Sequence, residues 1–261
     1  MALQHSTRRQ AIGAMATFAA LAACDSQGAN HSAPTNEQQS FVKSFAVLVR
    51  RPGLSAQEFR LRLLGHVGQL ARRIEGLGGL VLSESFGAGA SEAPDSPYRE
   101  AVDGFAQAWF ADDPGDKAWL DNEIFDPARS RSFTVREEVV VPCPRVEGAV
   151  KRTLLLRRSA GLTHEEFLDH WLNRHAKLAK GVPGLTGAVF NPIPAEAGQD
   201  ESPWREYDGI TETWWETGPD DLGGKPSSPE ADRWMADAAN FLDLPRCRTI
   251  SSIEHVLIEP K

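Results

Sequence analysis

The chain has 261 residues, of which 41% are hydrophobic, and a formal net charge of −8. That apolar fraction supports a normal globular core and excludes a chain left disordered for want of one. The acidic balance argues against nucleic acid and against an anionic membrane surface as partners.

Residues 1–23 read as an export signal. Arg8-Arg9 follow Ser6-Thr7, and a short apolar run follows from Ala11 to Ala23. The run falls short of the ~20 residues that a membrane helix needs. The adjacent arginines resemble a twin-arginine export signal. Leu21-Ala22-Ala23-Cys24 resembles a bacterial lipobox, which implies that Cys24 is the acylated first residue of the mature chain. Removing residues 1–23 takes away Arg8 and Arg9 and no acid, so the mature protein is more acidic still. The expected location is the periplasm, on a bacterial membrane through lipid alone, with Asp25 favouring the inner membrane. Residues 24–42 are small and polar and read as a flexible tether.

From residue 43 the chain repeats itself. Residues 43–51 (KSFAVLVRR) and 151–158 (KRTLLLRR) have strand character. Each is followed by a capping box, Ser55 with Glu58 and Thr163 with Glu166. A helix is expected after each box, to about Glu75 and Lys180. Gly76-Leu-Gly78-Gly79 and Gly181-Val-Pro183-Gly184 then stop the two helices. Strands at 80–84 and 186–191 follow. The third strands are carried by Asp103-Gly-Phe-Ala-Gln107-Ala-Trp109-Phe110 and Asp208-Gly-Ile-Thr-Glu212-Thr-Trp214-Trp215. A helical segment opens near Trp119 or Trp234, and each copy ends in a strand, 134–141 or 252–258. The order βαββαβ, twice over, predicts an α+β fold of two ferredoxin-like units that cover each other sheet to sheet. The first unit spans 43–141, a stiff linker 142–149, and the second unit 150–261.

On the third strands, alternation separates a small set, Gly209, Thr211 and Thr213, from Asp208, Glu212 and Trp214. Small residues suit close helix packing, so the other set, Asp103, Gln107, Trp109, Asp208, Glu212 and Trp214, is expected to face the interior between the sheets. A cavity walled by tryptophans suits an aromatic or hydrophobic small molecule.

The helix of the second copy carries Phe167, His170, Trp171, His175 and Leu178. Phe-x2-His-Trp-x3-His-Ala-x-Leu, followed by Pro-Gly, resembles the EthD family of dimeric α/β barrels. The first copy keeps Phe59 and Leu70, but Arg62, Leu63 and Val67 replace His170, Trp171 and His175. The resemblance implies two ferredoxin-like units fused into a pseudo-dimeric α/β barrel, with one working half and one structural half. Its wider superfamily holds isomerases, dehydratase-like enzymes, cofactor-independent oxygenases and haem enzymes, and fold similarity does not choose among them.

His175 is the expected general acid/base, since an imidazole titrates near neutrality. Asp208 or Glu212 is its expected partner. Trp171, Trp214, Trp109, Tyr207, His170 and His255 are the candidate substrate contacts. His255 lies beside Glu254, and only one of the two can face inward. Cys143 and Cys247 form an even pair that an oxidising compartment could bridge.

No metal and no cofactor is expected. His170 and His175 are five apart and do not share a face as the histidines of His-Glu-x-x-His do. The chain has no Cys-x-x-Cys, and no Gly-x-Gly-x-x-Gly follows a strand. The expected function is a cofactor-independent lyase, dehydratase or isomerase acting by proton transfer. A cofactor-free monooxygenase, or a lipid-anchored protein that only binds a hydrophobic ligand, is the alternative. Further homo-oligomerisation stays open.

Overall fold

The computed structural model describes residues 41–71, 73–86, 102–112, 123–143, 145–196, 204–216 and 228–260. The signal segment, Cys24, nearly all of the tether and the helix expected near Trp119 lie outside the described residues.

β1 (Val42–Leu48) and β6 (Val150–Leu156) are the opening strands of the two halves. Both capping boxes form. Ser55 Oγ accepts from the Glu58 backbone N–H, and the Glu58 carboxylate accepts from the Ser55 N–H. Thr163 and Glu166 repeat the exchange. These caps satisfy N–H groups that the first helical turn leaves open, and they start α1 (Ala56–Arg62) and α3 (His164–His170). Each helix then widens into one π-helical turn, Leu63–Val67 or Trp171–His175. Each resumes briefly, as α2 (Gly68–Ala71) and α4 (Ala176–Ala179). Gly76 and Gly184 both adopt positive φ, 78° and 75°. Glycine takes that conformation at no steric cost, and it turns the chain into β2 (Leu77–Ser85) and β7 (Leu185–Pro192).

β3 (Gly104–Phe110) and β8 (Gly209–Trp215) complete the hairpins. The expected closing strand of the first half is two strands, β4 (Arg131–Val135) and β5 (Glu138–Val141). In the second half α5 (Pro229–Ala238) precedes β9 (Arg248–Ile258), which starts earlier than the sequence suggests. The strand order is β4-β1-β3-β2-β9-β6-β8-β7-β5. Within it, 4-1-3-2 and 9-6-8-7 are the same antiparallel ferredoxin-like arrangement.

The closing strands explain why those boundaries moved. β9 pairs with β6 through residues 248–253 and with β2 through residues 252–258, so it serves both halves. β4 pairs with β1, and β5 pairs with β7 of the other half. Only Arg136 and Glu137 separate β4 from β5, so the sheet closes on itself into a barrel. The two ends of the strand order, β4 and β5, are thereby joined through one short chain segment.

Three apolar layers follow from strand alternation. Ala46, Leu48, Ala106 and Ala108 pack under Phe59, Leu63 and Val67 outside the first half of the barrel. Leu156, Ala188 and Phe190 pack under Phe167, Trp171, Ala176 and Trp234 outside the second. Phe45, Val47 and Phe105 meet Leu155, Ile210 and Ile250, a cluster that draws on both halves and therefore fills the interior. Trp204 and Tyr207 pack against it.

Gly209 marks the tightest helix approach. A Cβ there would lie 2.6 Å from Trp171 Cη2, and Trp171 is itself stacked on Phe190, with ring centroids 4.9 Å apart. The ring has nowhere to move. Gly209→Ala is expected to cost about 1–3 kcal/mol through overpacking. Gly161→Ala, where a Cβ meets nothing within 4 Å, should stay within about 0.5 kcal/mol of wild type. Urea denaturation of the two variants checks the pair.

Candidate functional site

The inward faces of β1, β3, β6, β8 and β9 carry charge as well as apolar rings. Lys43 and Lys151 have the same strand parity as Phe45, Val47 and Leu155 and so point inward. Glu212 accepts from Lys151 Nζ at 2.7 Å, from Gln107 Nε2 at 2.7 Å, and from Lys43 Nζ and Asn191 Nδ2 at 3.3 Å. Glu254 lies 3.4 Å from Lys151 Nζ and accepts from Trp214 Nε1 at 3.2 Å. Glu137 pairs with Lys43. Arg145 reaches in from the connection between the halves, 3.4 Å from Glu254, 3.5 Å from Glu137 and 3.7 Å from Glu212. Its guanidinium carbon sits 5.3 Å from the Trp109 ring and 5.1 Å from the Trp214 ring.

Three cations thus face three carboxylates, and the buried group is neutral. Burial pushes the Glu212 carboxyl upward, but Lys151, Lys43 and Arg145 together hold it far below the usual carboxylate range. Burial lowers Lys43, against the pull of Glu212 and Glu137. These findings correct two expectations. Glu212 faces inward as the alternation requires, yet it is a committed anion with its lone pairs taken, unfit to exchange protons at neutral pH. Trp109 and Trp214 face each other across the interior, but Arg145 fills the space where an aromatic ligand was expected.

The histidine helix lies on the other side of the sheet. Phe190 pairs with Thr211 on the helix-facing side, whereas Val189 pairs with Glu212 on the inner side. His175 stacks on Trp234 at 5.3 Å and meets Phe241 edge-on at 4.9 Å. It belongs to the helix–sheet layer and does not reach Glu212. Its partner is Asp237 of α5. Asp237 Oδ2 lies 2.9 Å from His175 Nδ1, and the same carboxylate lies 3.1 Å from His170 Nε2. Asn240 Nδ2 donates to Asp237 at 3.3 Å. His170 stacks on Phe241 at 4.8 Å. Burial pushes the His175 imidazole below its ordinary value, with Asp237 opposing and His170 reinforcing. Asp237 is drawn up by burial and, more strongly, down by the hydrogen bonds from His175, His170 and Asn240. An Asp237 carboxylate that accepts from Nδ1–H fixes the His175 tautomer and leaves Nε2 as a lone pair, the form that a general base needs. The Trp234 indole N–H is buried beside it with no hydrogen-bond partner among the described residues.

Asp208 is not part of this group. It accepts from the Arg158 backbone N–H at 2.9 Å and from the Arg158 guanidinium, and it lies 3.4 Å from His164 Nδ1. Arg50 and Asp103 repeat the pair in the first half, so its common role is to pin the first strand to the third. Tyr207 stacks with Trp204 at 6.3 Å, away from His170 and His175. Trp171 is a core residue between Phe167 and Phe190. His255 points outward, 2.9 Å from Glu147 and 3.5 Å from Glu84, because Glu254 takes the inward position.

Cys143 and Cys247 are unbridged. Cys143 packs on Gly187, which pairs with Trp214 and through it with Lys151. Cys247 bonds the backbone N–H of Arg157 at 3.3 Å. Six residues of extended chain separate Lys151 from Arg157, roughly 20 Å, far beyond disulfide reach. Among the described residues no group of three or more His, Cys, Asp or Glu side chains is placed to hold a metal ion.

Reading the sequence missed Asp237, Arg145 and the two lysines. Asp237 had a signal, since it follows Trp234 by three residues and shares its helix face. The lysines had one too, as a charge at the same inward position of two apolar strands. Arg145 had none, being a loop residue.

Two ferredoxin-like units closed sheet to sheet define the dimeric α/β-barrel class, here within one chain. Residues 159–245 match the EthD domain family. An anthrone oxidase-like protein of known structure superimposes with a TM-score of 0.52 at 10% identity, covering 86% of this chain and 96% of its own. A candidate monooxygenase from Fusobacterium nucleatum subsp. nucleatum gives a TM-score of 0.51 at 9% identity, covering 85% of this chain and 94% of its own. At these identities the likeness establishes the fold. No curated protein sequence matches the chain.

Arg145 closes the charge balance of the interior, so Arg145→Leu leaves one buried negative charge without a counterion. The expected loss is about 3–5 kcal/mol. Adding Glu254→Gln to that variant should recover part of it, because neutrality returns. Chemical denaturation of wild type, single and double variants measures both effects.

Proposed function

We propose that the second half is a cofactor-independent proton-transfer site for an aromatic or hydrophobic small molecule, with His175 as the base. One observation carries this reading: a half-buried carboxylate, Asp237, bridges two imidazoles among aromatic rings. At the equivalent positions the first half has Arg62 and Val67, and Val67 is simply core. Fold and packing therefore do not require the histidines. Asp237 orients His175 and stabilises the imidazolium that forms when it takes a proton. The unpartnered Trp234 N–H supplies a donor for a substrate oxygen that gains charge in the same step.

Proton removal from an activated C–H leaves a carbanion with two fates. Reprotonation elsewhere or loss of a leaving group gives an isomerase, dehydratase or lyase. Reaction with O2 gives a monooxygenase, and the names of the two structural neighbours support testing that branch. Anthrone is a suitable probe, because anthrone plus O2 yields anthraquinone plus water in balance. Without oxygen, the same abstraction appears as deuterium exchange at the acidic carbon.

The test is anaerobic exchange in D2O over a panel of anthrones and phenols, then O2 uptake on those that exchange. His175→Ala should slow exchange by about 10²–10⁴-fold, and Asp237→Asn should also slow it with KM little changed. The acid limb of kcat/KM should fall below pH 6.5, the ordinary histidine value. The sign follows from burial: the folded imidazole resists protonation, so the base form is complete at neutral pH and lost as pH falls. A ligand that binds tightly to wild type and to His175→Ala alike, with no exchange in either, would make this a binding protein instead.

We also propose that residues 43–141 and 150–261 arose as a duplication of one unit, and that the protein is exported and anchored. The matching capping boxes, π turns and glycine turns support the first. Arg8-Arg9 and Leu21-Ala22-Ala23-Cys24 support the second. Among the described residues no helix is long and apolar enough to cross a membrane. Metabolic labelling with an alkynyl fatty acid should mark the wild type and fail to mark Cys24→Ala. Equal labelling of both would remove the anchor assignment.

A further inference from the structure

A cleft of about 360 Å³ opens where β6 and β8 meet the start of α3, lined by Arg157, Arg158, His164, Pro194, Tyr207 and Asp208. It is distinct from the His175 group. His164 and His175 are eleven residues apart, about 16 Å of helical rise.

The cleft is built on the Arg158–Asp208 pair that both halves share, and its other polar groups are peculiar to the second half. Arg157, His164 and Tyr207 stand where the first half has Val49, Ala56 and Val102. Nothing in the barrel scaffold asks for them. Asp208 holds the two guanidiniums in place, with Arg158 Nη1 in contact and Arg157 Nη1 at 3.6 Å. Arg158 Nε donates to the Leu162 carbonyl at 3.2 Å, and Arg157 Nη1 donates to the Glu206 carbonyl. Each guanidinium carries five N–H donors, and these contacts leave the Nη2 pair of both side chains unused. Two guanidiniums share the single charge of Asp208, while the Glu206 carboxylate is paired with Arg246. A concave surface with excess positive charge thus sits on a chain of net charge −8. Ile193, Pro194 and Ala195 supply an apolar wall beside it.

We propose that this cleft binds the oxyanion of a small molecule with an apolar body, such as an aromatic carboxylate or an aryl phosphate. Pre-positioned guanidiniums favour such groups, because they offer planar, charge-assisted donors at low ordering cost. The apolar wall receives the ligand's ring. His164, with Nδ1 3.4 Å from the same carboxylate, helps to hold Asp208 in place between the guanidiniums.

The experiment is calorimetric titration of the full chain with benzoate, phenyl phosphate, inorganic phosphate and benzamide. Benzoate or phenyl phosphate should bind at one site, more weakly as ionic strength rises. Benzamide, with the same ring and no charge, should not bind. Arg157→Val and His164→Ala copy residues that the first half tolerates in the same setting (Val49 and Ala56), so both variants should melt close to wild type. Arg157→Val should weaken binding roughly tenfold or more, the weight of a charge-assisted hydrogen bond, and His164→Ala by less. Inorganic phosphate binding as tightly as phenyl phosphate would overturn the apolar half of the proposal. Equal binding of benzamide, an unchanged affinity in Arg157→Val, or no saturable heat below ~10 mM of either aromatic anion would overturn the site itself.

Discussion

The interior of this barrel depends on gathering six charges, four of them buried (Lys43, Lys151, Glu212 and Glu254) and two partly covered (Arg145 and Glu137). Lys43, Lys151 and Arg145 offset Glu137, Glu212 and Glu254 across the space enclosed by both halves. Each charge alone would cost several kcal/mol to remove from water, and only the complete set is tolerable. The set also draws on every part of the chain: an opening strand from each half, the bend between β4 and β5, the closing strand β9, and the connection that carries Arg145. Neutrality therefore acts as a condition on the whole fold. It holds the connection against the barrel, and it fixes how the two sheets face each other.

Around that centre the two halves differ at several equivalent positions. Trp171 replaces Leu63, His175 replaces Val67, His164 replaces Ala56 and Arg157 replaces Val49. In every case the first half keeps an apolar residue suited to packing, and the second half carries an aromatic or ionisable one. The backbone elements are unaltered by these exchanges, as the paired caps, π turns and positive-φ glycines show. The first half supplies the opposing sheet without any of these side chains.

Much of this was legible in the residues. Ser55 with Glu58 and Thr163 with Glu166 announced two helix starts. Alternation along Gly209 to Trp215 assigned the inner and outer faces correctly, and Glu212, Trp109 and Trp214 do point inward. The site was harder to read. Strand parity says which way Glu212 faces but not that two lysines and an arginine wait for it. Helix periodicity places His175 on its own helix, but it cannot reveal that Asp237, 62 residues later, closes over it. Asp208 was misjudged because alternation grouped it with Glu212 and Trp214, whereas Arg158 binds it at the start of the strand. Local rules gave orientation, and the partners came from tertiary contacts between distant segments.

The exchange of closing strands has a mechanical consequence. β5 belongs to the first half in sequence but is laddered to β7, and the far end of β9 is laddered to β2. Pulling the halves apart therefore tears hydrogen-bonded ladders in both, with no intact ferredoxin-like unit left behind. From residue 41 on, the described residues accordingly form one compact body. The connection between the halves serves as a tie within an interlocked pair, and a break in its backbone would leave two fragments still clasped together.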